Sequence, residues 1–325
     1  MNVFLVTSPL QYICANEARI SYKTKGNLLV LIEQNSSIGK KQMSSLLNKQ
    51  DWDHIIYFPR NNRTFTTPKI IKSIRNLSNG SLGTLFYSEY NAWRSKLIIR
   101  NLPFKKHIFF DDGTMTFFDY YDYIEPKNTF YRPRWLQDIQ LRLQGIKPIG
   151  KLDFFENTEI FSIFQFPNCV TKYKENTLDT LRNNSENHVL QLTTCDVFIG
   201  QGSVDEKNRI TVDEYIKMIK SSLKNSEYPL LYIPHRTEAS HVTEKVKNIN
   251  NITYHQPKFP IEIELSKNKI IPNKIIGLSS TALYTLSKIY PHAKIQLVEQ
   301  RLAAQGERDK RIQRYLKDYF NNIKK

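Results

Sequence analysis

Four short segments of this 325-residue chain set reactive or anion-binding side chains directly behind an apolar run. The first, HIFFDDGT (His107–Thr114), carries Asp111 and Asp112 followed by Gly113. Adjacent carboxylates can share a proton or accept hydrogen bonds from sugar hydroxyls, and a glycine lets the backbone turn tightly behind them. Their spacing is not the Asp-x-Asp that bridges a metal to a diphosphate, and a strand-end turn capped by aspartate uses the same residues. The second, DVFIGQGSVDE (Asp196–Glu206), closes on Gly200-Gln201-Gly202-Ser203, with Asp205 and Glu206 at its tip. A short glycine turn that projects a carboxylate suits a general base, because the bent backbone leaves room for substrate. A solvated acidic loop reads the same way, and no third glycine completes a G-x-G-x-x-G fingerprint.

The third segment, LLYIPHRTE (Leu230–Glu238), delivers His235 straight from an apolar run, flanked by Pro234, Arg236 and Glu238. An imidazole there can protonate a leaving phosphate while Arg236 adds positive charge. The other histidines (His54, His107, His188, His241, His255 and His292) lack comparable neighbours and are expected to be structural or on the surface. The fourth, KIIGLSSTALYTL (Lys274–Leu286), passes through Gly277 into Ser279-Ser280-Thr281, where the pattern predicts the start of a helix. Hydroxyls and free backbone N–H groups at such a terminus make an anion site; a plain Ser/Thr cap is the alternative use.

The elements that must present these residues follow from hydrophobic periodicity. Strand-like runs at Val3–Thr7, Asn27–Glu33, His54–Phe58, Thr84–Tyr87 and His107–Phe110 alternate with helical patterns near Leu10–Ser21, Lys40–Asn48 and Pro68–Leu77. The alternation resumes with strands expected at Asp196–Gly200, Leu230–Ile233, Ile252–Tyr254, Ile261–Leu265, Lys274–Gly277 and Lys294–Val298, and helices at Val212–Lys224 and His241–Asn248. That is the pattern of an α/β protein with parallel sheets in two Rossmann-like halves. Between them lie an irregular, aromatic stretch (Asp119–Phe166) and a polar linker (Lys172–His188), so the expected domains are 1–185 and 186–325. Two such halves face each other across a cleft, and their ligands bind at the carboxyl ends of the strands. All four segments sit at such ends. The last stretch, Glu307–Lys325, sets Ile312, Leu316, Phe320 and Ile323 on one helical face beside Tyr315 and Tyr319.

Composition narrows the partners. With 40% apolar and 12% aromatic residues the chain can bury an ordinary core, which excludes disordered and collagen-like classes. Its 47 Lys and Arg against 31 Asp and Glu give +16, spread along the chain with a denser block from Arg301 to Lys325. Such charge fits a nucleic acid, an anionic membrane surface or anionic substrates, but no RNP, KH, helix-turn-helix or finger signature supports the first. The start, MNVFLVTSPL, is not a signal peptide, and no apolar run approaches the ~20 residues of a spanning helix, so a cytoplasmic location is expected. Cys14, Cys169 and Cys195 are odd in number and widely spaced, which fits reduced thiols and predicts no structural metal.

Taken in order, FDDGT, G-S-x-D after a strand, Y-x-P-H and a Ser turn between strand and helix resemble the bacterial sialyltransferases that decorate lipooligosaccharide and capsule, the family numbered fifty-two among glycosyltransferases. The resemblance covers most of the chain, including FPIE at Phe259–Glu262. It implies a GT-B fold and a CMP-sialic acid donor held mainly by the second domain. It also implies metal- and cofactor-independent inverting transfer to a terminal galactose-type hydroxyl of lipooligosaccharide, lipopolysaccharide or capsule. By position it implies Asp205 as general base, His235 as general acid, Ser279 and Ser280 as phosphate contacts and Glu262 as a ribose contact, with Gly202 and Arg236 also on the donor side. Asp111, Asp112 and Gly113 match an acidic motif on the acceptor side. In related sialyltransferases that motif itself supplies the base, which makes Asp111 the rival of Asp205.

The chain departs from the family's P-H-P-R-E by reading P-H-R-T-E, which sets Arg236 at the Pro position and Thr237 at the Arg position. The N-terminal anchor that some members carry is expected to be missing, which would be a second departure. Arg308, Lys310, Arg311, Arg314 and Lys317 on the last helix could instead hold the enzyme peripherally against an anionic inner leaflet, or the helix could close back on the first domain. Tyr120, Tyr121, Tyr123, Phe130 and Trp135 lie where an acceptor sugar could stack. Another CMP-nonulosonate or nucleotide sugar is the near alternative as donor, and nucleic-acid binding the distant one. Acceptor, linkage and oligomeric state are left open.

Overall fold

Continuous rather than alternating apolar runs are what a parallel sheet covered on both faces requires, and the central strands have that character. A computed structural model of the chain describes residues 1–186, 193–207, 209–298 and 307–323 and divides into two units, Met1–Thr177 and Leu178–Lys325.

The first unit contains β1 (Asn2–Val6), β2 (Asn27–Ile32), β3 (His54–Phe58), β4 (Thr84–Tyr87), β5 (Lys106–Phe110), β6 (Phe130–Tyr131), β7 (Lys151–Leu152), β8 (Thr158–Ser162) and β9 (Lys172–Glu175). Its helices are α1 (Pro9–Ser21), α2 (Ser37–Leu46), α3 (Arg63–Ser78), α4 (Trp93–Asn101), α5 (Met115–Asp119) and α6 (Trp135–Leu143). Seven strands form one parallel sheet in the order β3-β2-β1-β4-β5-β8-β9, and β6 and β7 form a separate antiparallel ribbon. All six residues of β2 are buried. Helix α1 starts where Ser8 accepts a hydrogen bond from Gln11 N (3.2 Å) and Pro9 occupies the first turn.

The second unit contains α7 (Asp179–Glu186), β10 (Thr193–Ile199), α8 (Val212–Lys224), β11 (Leu230–Ile233), α9 (Ser240–Lys247), β12 (Ile252–Tyr254), α10 (Ile261–Lys267), β13 (Ile270–Gly277), α11 (Thr281–Ile289), β14 (Lys294–Leu297) and α12 (Glu307–Ile323). Its five parallel strands run β12-β11-β10-β13-β14. Helix α8 opens on a capping box between Thr211 and Glu214. On α12, Leu316 and Phe320 are buried and the Tyr319 ring lies 4.3 Å from that of Tyr284 on α11, so its apolar face packs within its own unit. His188 and Arg301 lie outside the described residues, as do the side chains of Arg308 and Ile323.

Three sequence expectations are corrected. Ile261–Leu265 alternates like a strand but forms α10, because Pro260 precedes it and the Glu262 and Glu264 carboxylates favour the positive end of a helix. The stretch Asp119–Phe166 is largely ordered as a π-helical turn (Tyr120–Ile124), β6, α6, β7 and β8, the last an interior strand of the sheet. Within it Tyr120 and Phe130 are core residues, not a stacking platform for sugar.

Glu264 closes the second unit. Fully buried, its carboxylate meets His255 Nε2 (2.6 Å) and accepts from Phe259 N (2.7 Å), Lys258 N (3.1 Å) and Asn268 Nδ2 (2.9 Å). Removing it would leave several part-buried donors without their acceptor. Glu264→Ala should therefore destabilise this unit by ~2–4 kcal/mol. The three tryptophans, Trp52, Trp93 and Trp135, belong to the first unit, so urea unfolding of the second is followed by circular dichroism; an unchanged midpoint would contradict the assignment.

Candidate functional site

In the second unit β11, β10 and β13 are adjacent and parallel, so their carboxyl ends share one edge. The connections reverse direction between β10 and β13, which makes the crevice there the topological switch point where open α/β sheets bind ligands. Gly200 follows β10, Pro234 and His235 follow β11, and Ser279 follows β13. Three of the four sequence segments thus meet at a single edge of a single sheet.

Two of them are in direct contact. A Cβ on Gly200 would lie 2.8 Å from both His235 N and Pro234 Cα, and one on Gly202 would lie 2.3 Å from His235 Nδ1 and 2.4 Å from Thr237 Oγ1. Only glycine allows the two loops to approach so closely. Beneath them Gln201 N donates to Tyr215 Oη (3.1 Å), Tyr215 Oη lies 3.0 Å from Tyr232 Oη, and Tyr232 donates to Glu238. Glu238 also accepts from Thr243 Oγ1 (2.9 Å) and Tyr254 Oη (3.4 Å), and burial pushes its carboxyl above the usual range. This relay ties the base of each loop to the other.

His235 is exposed as a residue, but its ring is crowded by the Gly202 turn. That desolvation, with the positive charge of Arg236, lowers its pKa below the usual 6.5. Its Nδ1 accepts from Thr237 N (3.2 Å) and faces Thr237 Oγ1 (2.8 Å), which leaves Nε2 to carry the proton of the neutral ring. Arg236 also bears on Glu262. Glu262 is buried at the first turn of α10, accepts from Thr285 Oγ1 (3.2 Å), and is held above the usual carboxylate range by burial.

Ser279 and Ser280 divide their tasks. Ser280 is the cap of α11, its hydroxyl accepting from Leu283 N (3.2 Å). The Ser279 hydroxyl is buried and has no hydrogen-bond partner, a state that costs free energy unless a ligand or solvent supplies the bond. Asp205 lies on the same β10 loop with a left-handed backbone (φ 68°), its N–H bound to Ile210 O (2.8 Å). Its half-exposed carboxylate faces His241 Nε2 at 3.3 Å. A non-glycine residue in that region of backbone space is strained, a feature that gathers at functional sites.

The first unit has its own switch point, between β1 and β4. There Thr7 Oγ1 donates to Glu89 Oε1 (3.3 Å), and Glu89 faces Arg60 (3.7 Å) and Arg94 (4.0 Å). One strand further, Asp111 is fully buried and accepts from Ser162 Oγ (2.5 Å) and Ile163 N (2.7 Å), which ties the end of β5 to that of β8. Asp112 is partly exposed and Gly113 takes φ 62°, turning the chain away. Beyond the turn, burial raises the Asp119 carboxyl to about 7, with the Asp112 charge adding to the rise, and burial lowers Lys96 to about 7.

Thr7 and Glu89 both follow strands, but neither sits in a conspicuous sequence motif. His241 has no distinctive sequence context, and the network of Tyr215, Tyr232 and Glu238 leaves no sequence signal, since tyrosines in apolar runs indicate only burial. Among the described residues no three His, Cys, Asp or Glu side chains gather as metal ligands.

No family model and no curated protein matches the chain. Among solved structures it is similar to the α/β-galactoside α-2,3-sialyltransferase of Photobacterium phosphoreum, at 14% identity and a TM-score of 0.55 over 99% of this chain and 95% of that one. It is also similar to the 2,6-sialyltransferase of Photobacterium sp. JT-ISH-224, solved in a ternary complex with the donor product CMP and the acceptor lactose, at 12% identity and a TM-score of 0.54 over 99% of this chain and 76% of that one. The fold is α/β of the GT-B type, with two Rossmann-like halves.

Proposed function

We propose that this protein is an inverting, metal- and cofactor-independent sialyltransferase, moving sialic acid from CMP-sialic acid to a terminal galactose-type hydroxyl of a bacterial surface glycan, as the lipooligosaccharide and capsule family numbered fifty-two does. The observation that carries the reading is the switch point of the second sheet, where His235, the unpartnered Ser279 hydroxyl and the α11 terminus share one edge. The ternary complex of a GT-B relative with CMP and lactose supports the same donor and acceptor classes. We assign the working location to the cytoplasmic side of the membrane.

As the glycosidic bond to the donor breaks, the sugar becomes oxocarbenium-like and negative charge accumulates on the CMP phosphate. The α11 terminus and the Ser279 hydroxyl would bind that phosphate, and His235 Nε2–H would hydrogen-bond it or give it a proton. Glu262 would take the ribose, with Arg236 adding positive charge. Asp205, half-exposed and steadied by His241, would receive the proton of the attacking hydroxyl on the opposite face of the sugar. Asp111 is the weaker candidate for the base, because its oxygens already accept from Ser162 and Ile163. In this reading it holds Asp112 and Gly113 in shape on the acceptor side.

Three outcomes follow from these roles. Asp205→Asn should lower turnover by ~10²–10⁴-fold with CMP affinity nearly intact; if Asp111→Asn does this and Asp205→Asn does not, the base is Asp111. Ser279→Ala should weaken CMP binding in calorimetry by roughly tenfold, the worth of one bond to a charged group, and unchanged affinity would remove the phosphate role. The NMR titration of His235 should show a midpoint below 6.5 in the free protein. Saturating CMP should move it upward, because an anion at Nε2 favours the protonated ring, and a midpoint that ignores CMP would place His235 away from the phosphate. Gly202→Ala, which drives a methyl into the ring, serves as a second probe of that position.

A further inference from the structure

Among the described residues, four exposed large hydrophobic side chains gather on α6 in the first unit. Trp135 is 82% exposed, Leu136 74%, Ile139 53% and Leu143 83%. At ~100° per residue these four positions fall within about a quarter of the helix circumference. The buried Leu141 faces the other way, into the protein. A stripe of large side chains on a helix that already has its core contact is not explained by folding, and patches of this kind mark interaction sites.

The charge around the stripe points to its occupant. From Phe130 to Lys151 the chain carries Arg132, Arg134, Arg142, Lys147 and Lys151 against a single acid, Asp138. Arg132 and Arg142 are exposed and ion-paired with no carboxylate among the described residues, while Asp138 partly offsets the charge of Arg134. The neighbouring β6 adds Tyr131 at 67% exposure, directly opposite Lys151 on β7. An aromatic and aliphatic stripe rimmed by cations in excess of acids is the pattern of a helix that lies in the headgroup region of an anionic bilayer. Sugar stacking would use Trp135 but leaves Leu136, Ile139 and Leu143 unexplained. The C-terminal helix does not share this property, because its Leu316 and Phe320 are already buried.

We infer that α6, with Arg132, Arg134 and Arg142, is a docking surface by which the protein sits on an anionic phospholipid membrane. This does not depend on the donor chemistry, and its test needs no substrate. No helix among the described residues is long and apolar enough to cross a membrane, so the contact is interfacial.

The protein supplies its own reporter, since Trp52 and Trp93 are buried and only Trp135 faces solvent. The full chain is mixed with vesicles of phosphatidylcholine alone or with phosphatidylglycerol in roughly equal parts, and followed by co-sedimentation and tryptophan emission. The expected result is binding to the anionic vesicles with a blue shift, weakened by salt. Leu136→Glu with Leu143→Glu should reduce partitioning at least ~10-fold and abolish the shift, with the circular dichroism spectrum unchanged. Arg132→Glu with Arg142→Glu should weaken binding without touching the apolar stripe. A wild-type protein that ignores anionic vesicles, or variants that bind as well as it does, would overturn the inference. So would a lipid-free dimer that the leucine substitutions dissolve, or a Trp135 shift produced by lactose alone.

Discussion

The close approach of two loops over the carboxyl edge of the second sheet is the constraint on which the rest of the site depends. Gly200 and Gly202 have no room for a Cβ because the backbone and ring of His235 occupy that space. Beneath the contact, the Gln201–Tyr215–Tyr232–Glu238 relay replaces water with fixed hydrogen bonds. A buried polar network of this kind is costly unless every member is satisfied, and satisfied it specifies one geometry. The chain thereby holds an imidazole at a strand end with one nitrogen engaged and the other free to meet an anion.

The two sheets distribute acid and base chemistry in different ways. In the second unit the titratable groups at the edge differ in exposure: Glu262 is buried and bound to Thr285, whereas Asp205 and His241 face each other near solvent. In the first unit the paired aspartates separate in role, Asp111 buried and bonded, Asp112 partly open. Burial thus sorts carboxylates that look equivalent in a motif. The net charge of +16 over the whole chain gives anionic partners a favourable field.

Much of this was legible in the sequence where backbone periodicity and side-chain chemistry agreed. The strands His54–Phe58, Thr84–Tyr87, Leu230–Ile233 and Ile252–Tyr254 and the helix Val212–Lys224 are found where their patterns predict them. The strand-end positions of Asp111, Gly202, His235 and Ser279 followed from the same logic. Pattern and structure part where tertiary contacts overrule a local signal. IEIEL alternates, yet Pro260 and the anchoring of Glu264 to the loop before it make it a helix. The aromatic stretch after Asp119 looked irregular because its elements are short and its rings are core. The relay through Tyr215 and Tyr232, and the pairing of Thr7 with Glu89, join residues far apart in sequence, and only the sheet order brings them together.

The central claim is that this edge binds a CMP-sugar and transfers the sugar. The most direct test supplies purified protein with CMP-sialic acid and lactose in the presence of EDTA and follows CMP release. The account predicts release that requires lactose and survives EDTA. Absence of release, together with no calorimetric binding of CMP, would contradict it and leave the likeness to sialyltransferases as one of fold alone.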